Sequence, residues 1–206
     1  MTNVTIIGAG NIGSAVAGIA LKSGAHVQVL DRSTEKAQAI SDYVHAGTLG
    51  DEITGDIVIL ALPYEAIESV IAEHGAQFAG KIVVDVTNPL DFQTGDIIAD
   101  VATTSAAEKF ATALPQSTVI KAFNTNFAAT LGMGNVHGQT TTVMMASDSS
   151  EAKETFASII KGAGLKVIDA GALKRAHEME AFGALQINLA MTNQIPWTGG
   201  FAVVTE

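Results

Sequence analysis

Short runs of β-branched and other apolar residues recur along the chain, and most of the segments between them carry their apolar residues at helical spacing. The first run, "VTII" (Val4 to Ile7), reads as a strand buried on both faces. In "SAVAGIALKSG" the residues Val16, Ile19 and Ala20, with Ile12 just before, share one helical face, and Gly24 suits the stop. "HVQVLD" (His26 to Asp31) is the second strand and completes a βαβ unit of about 28 residues. Ser33 or Thr34 can cap a helix over "EKAQAISDYV". A glycine-containing loop then leads to a strand over Asp56 to Pro63, and "YEAIESVIAEHGAQF" reads as an amphipathic helix. Strands are expected over Lys81 to Leu90, Thr118 to Thr125, Thr140 to Ser147 and "LKVIDAG", with helices over "SAAEKFATAL" and "SSEAKETFASIIKGAG". One long, mostly apolar helix should run from Lys174 to about Thr192, before proline and paired glycines break the tail.

Strand and helix alternating in this way predict an α/β fold, Rossmann-like and doubly wound, with a mostly parallel sheet of seven or eight strands. At 206 residues, with no linker or internal repeat, the chain reads as one domain over 1–206, with 174–206 as a helical and tail extension. The 21 acidic residues against 11 basic ones make the surface repel phosphate polymers, so nucleic acid is not an expected partner. The absence of cysteine removes thiolate nucleophiles and cysteine-based metal sites. The N-terminal apolar stretch is too short for a signal peptide or a membrane span, so a cytoplasmic protein without membrane attachment is expected.

"GAGNIG" sets Gly8, Ala9, Gly10, Asn11, Ile12 and Gly13 in GxGxxG order between a predicted strand and a predicted helix. In that context Gly8 permits the tight turn, Gly10 leaves room for a pyrophosphate, and Gly13 lets the helix approach the strand. A site for S-adenosylmethionine also uses a glycine turn and is the rival reading. At the end of the second strand, Asp31 can accept from the ribose 2′-hydroxyl of NAD, whereas Arg32, Ser33 and Lys36 can hold the 2′-phosphate of NADP. Solvated surface charge and a simple helix cap are the plain alternative for those three.

Leu62 and Pro63, Thr87 and Asn88, and Asn124 end three further strands, where ligands of open α/β sheets collect. Leu62 and Pro63 would flank the adenosine side, and Thr87 and Asn88 would reach the nicotinamide riboside, unless Asn-Pro serves only its turn. Lys121 precedes Asn124 and is expected as an exposed edge lysine rather than an acid catalyst. The five histidines are scattered, and no metal is expected.

The segments "IIGAGNIGSAVA", "VILALPYEAI", "GKIVVDVTNPL", "VIKAFNT" and "VIDAGALKRAHEMEAFGALQINLA" together resemble the NADPH-dependent F420 reductase family, the F420H2:NADP oxidoreductases. The dinucleotide domain of that family is shared by STEAP-type metalloreductases. The resemblance implies an NADP-dependent oxidoreductase that passes hydride to or from a small redox acceptor, a flavin-like or deazaflavin ring, and it names no catalytic residue. NADP(H) is the preferred cofactor and NAD(H) the second. The chain departs from the family where Asp31 precedes Arg32, and again in the ending "TNQIPWTGGFAVVTE", where Trp197 and Phe201 either stack on a ring or anchor the tail. A homodimer is expected, because a helix apolar nearly all round needs cover. Two other readings stay open: a dehydrogenase of a small metabolite using Lys121, and a redox sensor that binds the dinucleotide without turnover.

Overall fold

The computed structural model describes residues 2–204, so the last two residues of the expected tail lie outside it. Eight strands form the main sheet: β1 (Asn3–Ile7), β2 (His26–Leu30), β3 (Val44–Gly47), β4 (Ile57–Leu60), β5 (Ile82–Asp85), β6 (Thr118–Ala122), β9 (Thr142–Ala146) and β10 (Lys166–Gly171). Their order is β10-β9-β6-β5-β4-β1-β2-β3. The six strands from β1 to β6 are parallel, while β9 runs antiparallel to β6 and β10 runs parallel to β9. This is a Rossmann-like α/β fold with a mostly parallel sheet.

Residues alternate between the two faces of the central strands, and each face is covered by helices. Ile57 and Ile59 of β4, with Val4 and Ile6 of β1, pack under α1 (Asn11–Lys22), α5 (Ala128–Met133) and α6 (Ser150–Gly162). Val58 and Leu60, with Ile7 and Leu30, pack under α3 (Tyr64–His74), α4 (Ala106–Ala113) and the start of α7 (Ala176–Met191). The two buried layers explain why these strands are apolar at nearly every position. Among the described residues no helix is long and apolar enough to cross a membrane.

Two local expectations change, and a stretch left unassigned gains structure. The helix expected over 35–44 stops early as α2 (Thr34–Gln38), because the Ser41 hydroxyl accepts the Tyr43 N–H in a turn and Val44 pairs with Val27 to open β3. Residues after Phe127 form α5, and His137 and Gly138, both at positive φ, turn the hairpin of β7 (Asn135–Val136) and β8 (Gln139–Thr140). The helix expected from Lys174 begins instead as a 3₁₀ turn over Leu173–Arg175 and becomes α-helical at Ala176.

Candidate functional site

After β1 the chain turns toward β2 and β3 on one side of the sheet, and from β4 it builds outward on the other, so the strand order reverses between β1 and β4. In an open α/β sheet the ligand crevice lies outside the carboxyl ends of the strands at that point. There Gly8 adopts φ 110°, and a Cβ built on it would lie 2.3 Å from the carbonyl oxygen of Ala61, the residue following β4. A Cβ on Gly13 would fall 1.9 Å from the carbonyl oxygen of Gly8. The junction of β1, α1 and β4 is therefore main chain against main chain, which only glycine permits.

Gly10 is different, since among the described residues no atom beyond its chain neighbours lies within 4 Å of where its Cβ would be. It stands at the N-cap of α1 with no side-chain cap and no acidic residue in the first turn. By contrast, Ser33, Ser105 and Ser149 cap α2, α4 and α6 with their hydroxyls. The first N–H groups of a helix have no acceptor within the helix, and the helix dipole places partial positive charge there. Open space above Gly10 and uncapped donors beside it fit a pyrophosphate.

Asp31 closes one side of this cradle. Its carboxylate accepts from the Ala9 N–H at 2.7 Å and from the Ser33 N–H at 3.0 Å. Burial pushes the Asp31 carboxyl up, but the Ser33 and Ala9 N–H groups, with the Lys36 and Arg32 charges, outweigh it and hold the group below its ordinary 3.8. A depressed carboxyl contributes stability that is present above its unfolded value and is lost as pH falls through the folded one. The stability gap between the native protein and Asp31→Asn should therefore be constant above pH 3.8 and close in stronger acid. Urea unfolding across that range measures it, and a gap that persists in acid would contradict the assignment. Arg32 and Lys36 are exposed beside Asp31, and Leu62 packs over Gly8.

Beyond β5 and β6 the site is built from buried polar groups. Lys121 is fully buried in β6, and its ammonium donates to Asp85 at 2.8 Å, to the Thr87 carbonyl at 2.6 Å and to Glu180 of α7 at 2.7 Å. Glu180 also accepts the Ala106 N–H at 3.0 Å at the start of α4. Burial pushes the Glu180 carboxyl up and the Asp85 charge adds to it, against the pull of the Lys121 ammonium, so it stands above its ordinary value. The Asn88 amide donates to the Asn124 carbonyl at 2.7 Å, and the Asn124 amide donates to Asn88 Oδ1 at 2.9 Å and to the Met179 carbonyl at 2.8 Å. Gly183 of α7 sits on this pair, where a Cβ would meet Asn88 Oδ1. Phe123, immediately before Asn124, takes φ 64°, a left-handed conformation uncommon for an aromatic residue. Asn124 Oδ1, Thr125 Oγ1 and Gln186 Oε1 are buried without a hydrogen-bond partner. Trp197 packs against Phe127 with ring centroids 4.9 Å apart and Phe201 against Phe182 at 5.1 Å, both pairs tilted by 53°, and Trp197 and Phe201 are each about half exposed.

Comparison with known proteins connects these features. The family described as NADP oxidoreductase, coenzyme F420-dependent, matches residues 3–89, from β1 through the Asn-Pro turn after β5. The F420-dependent NADP reductase of Methanothermobacter thermautotrophicus is 28% identical over 206 residues, covering 90% of this chain and 89% of that protein. Over residues 3–89 the chain is similar to this family. A crystal structure of a proposed F420-dependent NADP reductase from Arthrobacter sp. FB24 superposes with a TM-score of 0.84 at 25% identity, covering all of both chains. Metalloreductase STEAP3 of Rattus norvegicus is 30% identical over 86% of this chain, which spans only 36% of that protein. The chain likewise spans half or less of the glycerol-3-phosphate dehydrogenases that it matches.

Of the residues expected in this family site, Gly8 to Gly13, Asp31, Arg32, Ser33, Lys36 and Leu62 gather about one end of the crevice, with Pro63 opening α3 beside them. Asn88 and Asn124 meet at the other end. The Thr87 hydroxyl turns inward and donates to Asp85 at 2.8 Å. The expectation of an exposed edge Lys121 is corrected: β6 lies between β5 and β9, and two carboxylates compensate the buried ammonium. Asp85 and Glu180 were not singled out from the sequence. The available signal was Asp85 and Lys121, charges of opposite sign that each interrupt an apolar run, "IVVDV" and "VIKAF", whereas Glu180 in "HEMEAF" carries no such mark.

Proposed function

We propose that this chain is an NADP-dependent oxidoreductase that binds the dinucleotide across "GAGNIG" and exchanges hydride with a flavin-like or deazaflavin ring. The observation that carries the reading is the empty cradle over Gly10 beside the uncapped start of α1, set where the strand order reverses. The family match over residues 3–89 and the relatives named for F420 and NADP support the cofactor and the acceptor class. Residues 1–206 act as one dinucleotide-binding domain, with 174–206 as its extension.

In this reading the α1 N–H groups hold the pyrophosphate, Asp31 fixes the glycine loop through Ala9, and Arg32 meets the 2′-phosphate. Asn88 and Asn124 lock the ends of β5 and β6 under α7, giving the nicotinamide end a rigid floor. A bound nicotinamide supplies or takes up the hydride, and holding two rings in contact provides most of the acceleration. The metabolite-dehydrogenase reading loses ground, because all three protons of the Lys121 ammonium are already donated to buried partners. Leu185 and Met191, exposed on α7, support a homodimer through that helix.

Separate titrations with NADPH and NADH test the cofactor. Arg32→Ala should cost about 1.5–3 kcal/mol of NADPH binding, more than tenfold in affinity, and leave NADH binding in place. Equal or tighter NADH binding, unmoved by the substitution, would refute the preference. Oxidation of NADPH on adding FMN or F420 tests the acceptor.

A further inference from the structure

The Ser33 hydroxyl has one proton, and Glu35 takes it. Ser33 Oγ donates to Glu35 Oε2 at 2.8 Å and accepts the Lys36 N–H at 3.3 Å. The Ser33 N–H is already given to Asp31 at 3.0 Å. Of the groups in "DRSTEK" suited to a phosphate, both donors of Ser33 are thus committed to carboxylates, while the Arg32 and Lys36 side chains stand exposed. We propose that Glu35 sets cofactor specificity in this chain: its carboxylate holds the Ser33 hydroxyl away from a 2′-phosphate and repels that phosphate, so NADP is weakened relative to NAD. The proposal rests on the reading of this loop as the ribose-phosphate end of a dinucleotide site.

Two observations beyond the hydrogen bond support it. Glu35 is exposed in the first turn of α2, so its carboxylate stands on the solvent side from which a phosphate would approach. Its own backbone N–H and the Ser33 hydroxyl hold the carboxyl below the ordinary range, so it is charged at neutral pH. Asp31 engages Ala9 and Ser33 through main-chain donors, and Glu35 is the second acidic side chain within this turn. A doubly charged phosphate entering here meets two carboxylates and must displace one of them from a serine. The ribose of NAD, carrying a hydroxyl at that position, meets no such opposition and can donate to Asp31.

The test uses Glu35→Gln in the full chain, titrated with NADPH, NADH, 2′,5′-ADP and 5′-AMP at an ionic strength of about 0.01 M and again at about 0.15 M. The substitution should tighten NADPH and 2′,5′-ADP by roughly three- to tenfold at low salt, with a smaller gain at high salt, and leave NADH and 5′-AMP unchanged. In Ser33→Ala the gain from Glu35→Gln should shrink, because the hydroxyl it releases is gone. NADPH affinity equal in the native protein and Glu35→Gln, or NADH tightened to the same degree, would overturn the role of Glu35 while leaving the dinucleotide site standing. No binding of either dinucleotide to either protein would instead overturn the underlying site, and the role of Glu35 with it.

Discussion

Replacing Lys121 by methionine is expected to lower folding stability by about 3–5 kcal/mol, because it strands two buried carboxylates. Asp85 is fully buried and Glu180 is 3% exposed, so neither reaches water to recover its hydration. The substitution preserves most of the side-chain volume, so the loss is one of charge compensation rather than of packing. For a chain of this length it corresponds to a fall in Tm of roughly 6–20 °C. Removing all three charges together, as Asp85→Asn, Lys121→Met and Glu180→Gln, should recover part of the loss, since a triad without charge leaves no ion unpaired. Thermal and urea unfolding measure both variants. A fall of only a degree or two for Lys121→Met would mean that the ammonium is not what holds the carboxylates.

The second large effect separates two glycines only three residues apart. Gly13→Ala is expected to cost at least about 1–3 kcal/mol of stability, because its Cβ would fall 1.9 Å from the Gly8 carbonyl oxygen and both partners are main chain. Dinucleotide affinity should fall with it by tenfold or more, roughly the loss of one charge-assisted hydrogen bond. Gly10→Ala should do the reverse: the new Cβ meets no protein atom, so stability stays within about 0.5 kcal/mol, as for a surface change. Its methyl group nevertheless enters the space that suits a pyrophosphate, and dinucleotide affinity should drop. Measuring Tm and NADPH titration on both variants decides the matter. An unchanged affinity for Gly10→Ala would remove the cradle from the argument.

The parallel half of the fold was readable because buried parallel strands leave an unmistakable mark. Runs such as "DIVILALP" are apolar on both faces and end at proline or glycine. The eighth strand was hidden, because β3 has only Val44 and Gly47 fully buried and begins where a short helix had been expected to end. The hairpin after α5 was hidden for another reason: its strands are two residues each, and only its turn residues carry a signal. At the site, the glycine loop was legible because its requirements are steric and local. The Asp85, Lys121 and Glu180 triad was not, because its members lie 36 and 59 residues apart and each looks like a stray charge until the strands are paired. "VLDRSTEK" posed a choice between Asp31 and Arg32. In the folded chain Asp31 serves the glycine loop, and the Ser33 hydroxyl is held by Glu35.

The triad also bears on the order in which the chain folds. The contact between Gly8 and Ala61 that shapes the cradle lies within the first sixty-one residues, as do the pairings of β1 with β2 and with β4 around it. Closing Lys121 on Glu180 spans 59 residues, and the link from Glu180 to Ala106 spans 74. Closure entropy differs by only about 0.3 kcal/mol across these spans, and what sets the Glu180 links apart is that they need α7 docked against strands β5 and β6 already paired. The buried charges therefore act as a fastening applied after the sheet has assembled, and loosening them should speed unfolding far more than it slows folding.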